Sequence, residues 1–289
     1  VRLPFSVFVL LVVAAVMALD AWTRMAYRTT TGLNGKAAEF ASTAGEGPNL
    51  VILGTCLPEQ HLRADVLTAR LGMTVHNLGT AATTPLDWYL AFANVLPHDR
   101  IDGLVVAYGE ADLAAEILPY ESRVMDLARL GDMPDLLTEV CTDLECKVDL
   151  ALRWAWPTWR YRMRLANGVW SGVRALPLNP PAPSKVRRYH GAPLRYVGRL
   201  IRLASASEIP VWMVPLPRRP DPGHVPPGSV AEQAVVIAEA GGVMVPVPVL
   251  DASHFGSDVH LTTDGAVVLS EAVAATLGER LHAGKPVAP

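Results

Sequence analysis

A thiol near the front of the chain and an imidazole near its back are the side chains best suited to chemistry. Cys56 stands in "LVILGTCLPEQ", residues 50–60, where an apolar run ends on Gly54 and Thr55 and the chain turns polar. A thiol becomes an effective nucleophile when a base or a positive dipole helps it ionise. A helix opening near Pro58 would bring such a dipole to the sulfur. The commonest alternative fate of a free cysteine is a small buried hydrophobe, and Cys56 by itself leaves both readings open. His260 stands in "SDVHLTTDGA", residues 257–266, just before the last helix. It can serve as base, with Asp258 holding the imidazole in the useful tautomer and stabilising its cation. "DASH", residues 251–254, offers a rival pair in Asp251 and His254, and a helix-capping turn with an incidental histidine is the structural alternative.

Only a fold can bring the two ends together, and the hydrophobic pattern specifies one. "NLVILG" (49–54), "MTVHNLG" (73–79) and "GLVVAYG" (103–109) predict buried strands, each stopped by glycine. "PVWMVPL" (210–216) and "VMVPVPV" (243–249) predict two more. Helical spacing runs through 58–72, 85–96, 192–208, 229–242 and 264–284, the last with Gly284 as its stop. This alternation predicts an α/β fold, a three-layer α/β/α sandwich around a parallel sheet. Such sheets bind ligands beyond the carboxyl ends of their strands. Gly54 at the end of the first strand lets the backbone turn and displays Thr55 and Cys56 at that rim.

Composition limits the partners. With 289 residues, 51% of them hydrophobic, the chain can bury one sizeable core. A formal charge of -3 carries no polyanion-binding signature, so nucleic acid is not an expected partner. From Leu3 to Leu19 there is no charge, which predicts an uncleaved membrane anchor over 1–28, with a signal peptide as the competing reading. Residues 29–48 are small, polar and Gly-rich and predict a linker. The α/β domain then runs over 49–289, interrupted by a helical insert at about 113–192. Within it, "RWAWPTWRYRMRLANGVW" (153–170) interleaves arginines with aromatics. That pattern suits a membrane interface or a sugar chain, and equally a helical cap packed on the sheet. Cys141 and Cys146 can pair if their segment is a loop in an oxidising compartment. No metal or organic cofactor is expected, since neither ligand spacing nor a phosphate-cradling loop is present.

The motifs together resemble the SGNH (GDSL-type) hydrolase superfamily, and within it the membrane-anchored envelope members similar to partners in alginate O-acetylation and teichoic-acid D-alanylation. The resemblance covers 49–112 and 210–282. "LGTC" (53–56) stands where the family has Gly-Asp-Ser or Gly-Ser-Ser, and "NLGTAA" (77–82) where it has N-x-G-x-x-G. "GEAD" (109–112) stands for G-x-N-D, and "SDVHLTTDG" (257–265) for D-x-x-H-L-x-x-x-G, which favours His260 over His254. The resemblance implies a flavodoxin-like sheet and a shallow site at the strand tips. Cys56 would be nucleophile, His260 base and Asp258 the orienting acid. Backbone N–H groups of Cys56 and Ala82 and the side chain at Ala111 would face the oxyanion, with Gly54, Thr55 and Asp112 around them. Cysteine replaces the family's serine, Ala82 its glycine and Ala111 its asparagine, and Asp258 sits one residue nearer the histidine. A missing oxyanion donor typically costs ~10²–10³ in turnover. Two functions follow. One is an acyl esterase or O-acyltransferase acting on a cell-envelope or extracellular polysaccharide, at the extracytoplasmic face, with an acylated glycan or acyl donor as substrate. The other is a catalytically degenerate relative that binds such a glycan or scaffolds a membrane-bound acyltransferase.

Overall fold

The apolar runs become the strands of one parallel sheet. The protein is seen in a computed structural model, which describes residues 5–27, 32–114, 124, 126–141, 144–156, 158, 192–221 and 230–283. The strands are β1 (Asn49–Gly54), β2 (Thr74–Asn77), β3 (Gly103–Tyr108), β4 (Val211–Pro215) and β5 (Val243–Met244), ordered β2-β1-β3-β4-β5. Every pairing is parallel, with Ile52 set between Asn77 and Val105. β1 and β3 are buried at all positions, as strands covered on both faces must be. This strand order is that of a flavodoxin-like sheet, whose switch point lies between β1 and β3. The loops leaving those two strands therefore flank the crevice where a ligand is received.

β5 is two residues long where seven were expected. Pro246 and Pro248 have no N–H to give a ladder, and Val249 beyond them is 95% exposed.

The helices are, in chain order, α1 (Phe5–Tyr27), α2 (Gly32–Thr43), α3 (Cys56–His61), α4 (Ala64–Leu71), α5 (Pro85–Asn94) and α6 (Glu110–Ala114). Then come α7 (Met133–Glu139), α8 (Leu144–Ala155), α9 (Ala192–Ala206), α10 (Val230–Glu239) and α11 (Thr263–Ala283). The helix expected over 58–72 is broken in two. Leu62 and Arg63 are extended, the carbonyls of Pro58 and Leu62 accept from Asn77 Nδ2 at 2.7 and 2.9 Å, and Arg63 N–H donates to Ser270 Oγ at 2.8 Å. One face of the sheet presents Leu50, Ile52, Val105 and Val214 to Leu67 of α4 and to Leu269, Val273 and Leu277 of α11. On the other face α5 and α9 pack together and bury Trp88, Phe92, Leu200 and Ile201. Three layers result.

The segment expected to be a linker is not one. α2 lies inside 29–48 and buries Leu33, Ala37 and Phe40, a helical stripe that the polar composition around it conceals. Phe40 meets the ring of His76 edge-on at 4.7 Å.

The chain divides into two compact units, one of Thr31–Tyr120 with Arg187–Pro289, the other of Val1–Thr30 with Glu121–Val186. The first holds the sheet. The second contains α1, α7 and α8. Among the described residues no helix is long and apolar enough to cross a membrane. Asp20 of α1 accepts hydrogen bonds from the N–H and hydroxyl of Thr158 at 3.1 and 3.2 Å. Cys141 and Cys146 form a disulfide, because the chain leaves helical geometry between α7 and α8 and brings their Cα atoms to 5.4 Å. Of the aromatic-basic stretch, Arg153, Trp154 and Trp156 are described, and Trp154 Nε1 donates to Ala128 O at 3.3 Å. Trp159 to Trp170, with Arg160, Arg162 and Arg164, lie outside the described residues, as does Gly284.

Candidate active site

The rim at the end of β1 is built around a residue that can only be glycine. A Cβ on Gly54 would lie 2.2 Å from Ala107 O and 2.5 Å from Pro58 Cγ, and its φ of +158° is rare for other residues. Thr55 follows as the N-cap of α3, accepting the N–H of Leu57 at 3.4 Å. Cys56 is then the first residue of that helix. The Gly54 carbonyl receives Thr80 N–H at 3.1 Å and the Thr83 hydroxyl at 2.9 Å, which docks the second loop against the first. In that second loop Ala82 has φ +56°, the left-handed region that glycine adopts without strain.

Beyond β3 the chain turns into α6, and Asp112 swings back toward α3. Its Oδ2 accepts Gly109 N–H at 2.8 Å and the Thr55 hydroxyl at 3.2 Å. That second bond bridges the switch point. From the far end of the chain, the loop before α11 brings His260. Its Nδ1 is 3.2 Å from Ser257 Oγ, which also accepts the His260 N–H at 3.1 Å.

Thr55, Cys56, Ala82, Asp112 and His260 line one cavity of about 330 Å³, walled on its apolar side by Leu57, Pro85, Pro193 and Val259. Gly54 lies beneath it, fully buried. The other two expected positions are elsewhere. Asp258 is exposed and borders a separate groove of about 290 Å³ with Arg218, Arg219 and Asp221. The partner it was expected to be for His260 is Ser257 instead. Ala111 is exposed and absent from the cavity wall, and its neighbour Asp112 lines it. The rival His254 is structural, its carbonyl accepting the N–H and hydroxyl of Thr262 at 2.8 and 3.2 Å.

His61 is a neighbour of the site that no motif marks. It ends the six-residue helix that Cys56 begins, is fully buried, and accepts Leu261 N–H on Nε2 at 3.3 Å. That bond makes it an Nδ1–H tautomer. Its ring stands edge-on to that of His260, centroids 6.3 Å apart. Burial lowers its pKa to about 4, the Val259 backbone opposing this and His260 adding to it, so it is neutral whenever the protein is folded near pH 7. The only sequence-level hint is a histidine within one short helix of the cysteine.

The electrostatics do not favour a standing thiolate. Burial raises the Cys56 pKa, its own backbone N–H opposes this, and the carboxylates of Asp112 and Glu59 raise it further. Burial likewise raises Asp112, against the bonds from Gly109 and Thr55. The imidazole of His260 lines the same cavity as this protonated thiol. Among the described residues no cluster of His, Cys, Asp or Glu could hold a metal ion.

No family model matches this chain, and no curated protein matches it in sequence. Among solved structures it is similar to TesA, with 12% identity and a TM-score of 0.44 over 80% of this chain and 99% of that one. It is also similar to a lipase/acylhydrolase from Enterococcus faecalis, with 11% identity and a TM-score of 0.42 over 81% of this chain and 96% of that one. A catalytic mutant of Axe2, an acetylxylan esterase from Geobacillus stearothermophilus, gives 11% identity and a TM-score of 0.45 over 81% and 95%.

Proposed function

We propose that the sheet-bearing unit is an SGNH-like acyl esterase or O-acyltransferase that works through Cys56 and His260. One observation carries this reading: a thiol and an imidazole from opposite ends of the chain line the same cavity beyond the carboxyl ends of the strands. Sγ attacks the ester carbonyl carbon while the ring nitrogen of His260 that does not face Ser257 takes the thiol proton. The carbonyl oxygen becomes an oxyanion, held by backbone N–H groups at Cys56 and Ala82. Collapse expels the alcohol, which leaves with the proton from His260, and a thioester remains on Cys56. Water, or the hydroxyl of an acceptor, then attacks the thioester, His260 removing its proton and returning one to the sulfur. Ser257 orients the imidazole as a neutral partner, so the imidazolium gains less than a carboxylate would give it.

A cavity of about 330 Å³ with Leu57, Pro85, Pro193 and Val259 on one side suits a short acyl group such as acetyl. The proposed substrate is an O-acylated glycan of the cell envelope, met in an extracytoplasmic compartment. The Cys141–Cys146 disulfide supports that location, since such bonds persist where the surroundings are oxidising. A membrane-bound acyltransferase is the proposed source of acyl groups if transfer, not hydrolysis, is the outcome.

The test is incubation of the full chain with p-nitrophenyl acetate followed by intact mass measurement. The expected result is nitrophenol release with an acetyl adduct that maps to Cys56 and is absent from Cys56→Ala. No release and no adduct would leave the second reading, a binding cavity for an acylated glycan, which the raised Cys56 pKa favours. That reading expects an acetylated oligosaccharide to bind wild type and Cys56→Ala alike.

A further inference from the structure

The hydroxyl protons at the cavity are already spent. Thr55 Oγ1 donates to Asp112 Oδ2 at 3.2 Å, and Thr84 Oγ1 donates to Asp87 Oδ2 at 2.8 Å. Thr83 Oγ1 has two acceptors for its one proton, Gly54 O at 2.9 Å and Thr80 O at 2.8 Å, and itself accepts Trp88 Nε1–H at 3.0 Å. None of the three can turn to an oxyanion without breaking a bond that holds the site together. Among the described residues no lysine, arginine, asparagine or glutamine lines the cavity, and besides Cys56 and His260 one polar side chain of its lining is left. Asp112 takes both of its hydrogen bonds on Oδ2, while Oδ1 has no hydrogen-bond partner among the described residues. A carboxyl group whose two donors converge on one oxygen carries its proton, when it has one, on the other.

We infer that Asp112 acts as a neutral carboxylic acid, donating the Oδ1 proton to the oxyanion that forms when Cys56 is acylated. This rests on the proposed thioester chemistry and adds to it a side-chain donor besides the backbone N–H groups. The proton is shared and not transferred, so Asp112 begins and ends each half-reaction as the acid. Its setting suits the neutral form. Gly109 and Thr55 present dipoles only, and Pro193 of α9 is apolar. The titratable groups facing it are Cys56 from α3 and His260 from the loop before α11, with Glu59 behind Cys56 and Glu110 adjacent on α6. Burial disfavours the carboxylate, against the bonds from Gly109 and Thr55. A buried acid kept neutral to donate to an oxyanion is a known device.

Asp112→Asn keeps an acceptor for Gly109 and Thr55 and offers a permanent N–H donor to the cavity. The inference expects this variant to acylate Cys56 at least as fast as wild type at pH 7 and to keep its rate as pH rises. Wild type, by contrast, should lose rate as pH climbs through the pKa of Asp112. Asp112→Ala, with no donor, should be slower by about 10²-fold. Infrared difference spectra should show a carboxylic-acid C=O band in wild type near neutral pH that is missing from Asp112→Asn. Absence of that band, or an Asp112→Asn rate as low as that of Asp112→Ala, would overturn the inference. If wild type acylates Cys56 and Asp112→Asn, folded by circular dichroism, does not, this inference fails alone and the thioester reading stands. If wild type forms no acyl-Cys56 at all, the reaction itself is refuted and the inference with it.

Discussion

His61 accepts the backbone N–H of Leu261 at 3.3 Å, so the residue that closes α3 holds the residue that follows His260. The thiol and the imidazole are thereby joined through one short helix. Cys56 stands at its first position, and its last fixes the loop from which His260 projects. Removing the acceptor should loosen that loop. His61→Leu is expected to cost about 1–3 kcal/mol through the unsatisfied N–H and to lower kcat more than KM, whereas His61→Gln, which keeps an acceptor, should recover much of the loss. Thermal melts together with steady-state kinetics check both.

The same histidine sets an acid limit on stability. Its folded pKa is lowered to about 4, below the ordinary value near 6.5, so the unfolded chain binds the proton more readily. Its contribution is therefore complete above pH 6.5 and is lost as pH falls from there to about 4. The loss should reach roughly 3 kcal/mol. Denaturant midpoints measured across that range should fall less steeply for His61→Gln than for wild type.

The raised Cys56 pKa predicts a sluggish thiol in the resting protein. Alkylation by iodoacetamide at pH 8 should be slower than for free cysteine, with its midpoint displaced to higher pH. A rate equal to or above that of free cysteine at neutral pH would contradict the burial described for Cys56.

Ser257 and Asp258 give opposite expectations for adjacent residues. Ser257 Oγ is the group on His260 Nδ1, while Asp258 faces the groove of Arg218 and Arg219. Ser257→Ala should reduce kcat about tenfold, as an unoriented general base does, with KM little changed. Asp258→Asn should stay within about twofold of wild type, as a surface change remote from the chemistry does. Parallel kinetics on the two variants decide which residue orients the ring.

Two backbone positions at the rim respond in opposite directions. Ala82→Gly relieves a left-handed residue and should stabilise by about 0.5–1 kcal/mol, a rise of about 1–4 °C in Tm. Gly54→Ala drives a methyl into the Ala107 carbonyl and should cost about 3 kcal/mol or more. Differential scanning calorimetry separates them.

The sheet was legible because β-branched runs closed by glycine leave few alternatives, and four of its strands lie within two residues of their expected bounds. The thiol and the histidine were legible as chemistry, and both line the cavity. Their orienting groups were not. Ser257 and Asp258 are adjacent in sequence, and only the bend of the loop decides which one meets Nδ1. Ala111 and Asp112 differ by ~100° around the axis of α6, so one faces outward while the other lines the wall. β5 is shorter than its apolar run because Pro246 and Pro248 have no N–H to give the ladder, which apolar periodicity does not register. His61 gives no pattern at all, since its role is one bond to a residue far along the chain. α2 was hidden because three buried apolar residues are few among glycine, alanine and threonine.

Lys36 of α2 reaches Gly79 O at 2.5 Å and Glu59 of α3 at 2.9 Å, so a segment upstream of the first strand braces both loops of the rim. The practical boundary of the working unit is therefore set ahead of Gly32. A fragment cut at residue 45 would keep every strand and every reactive group yet lack that strut, and recombinant versions meant to report on Cys56 should begin upstream of α2.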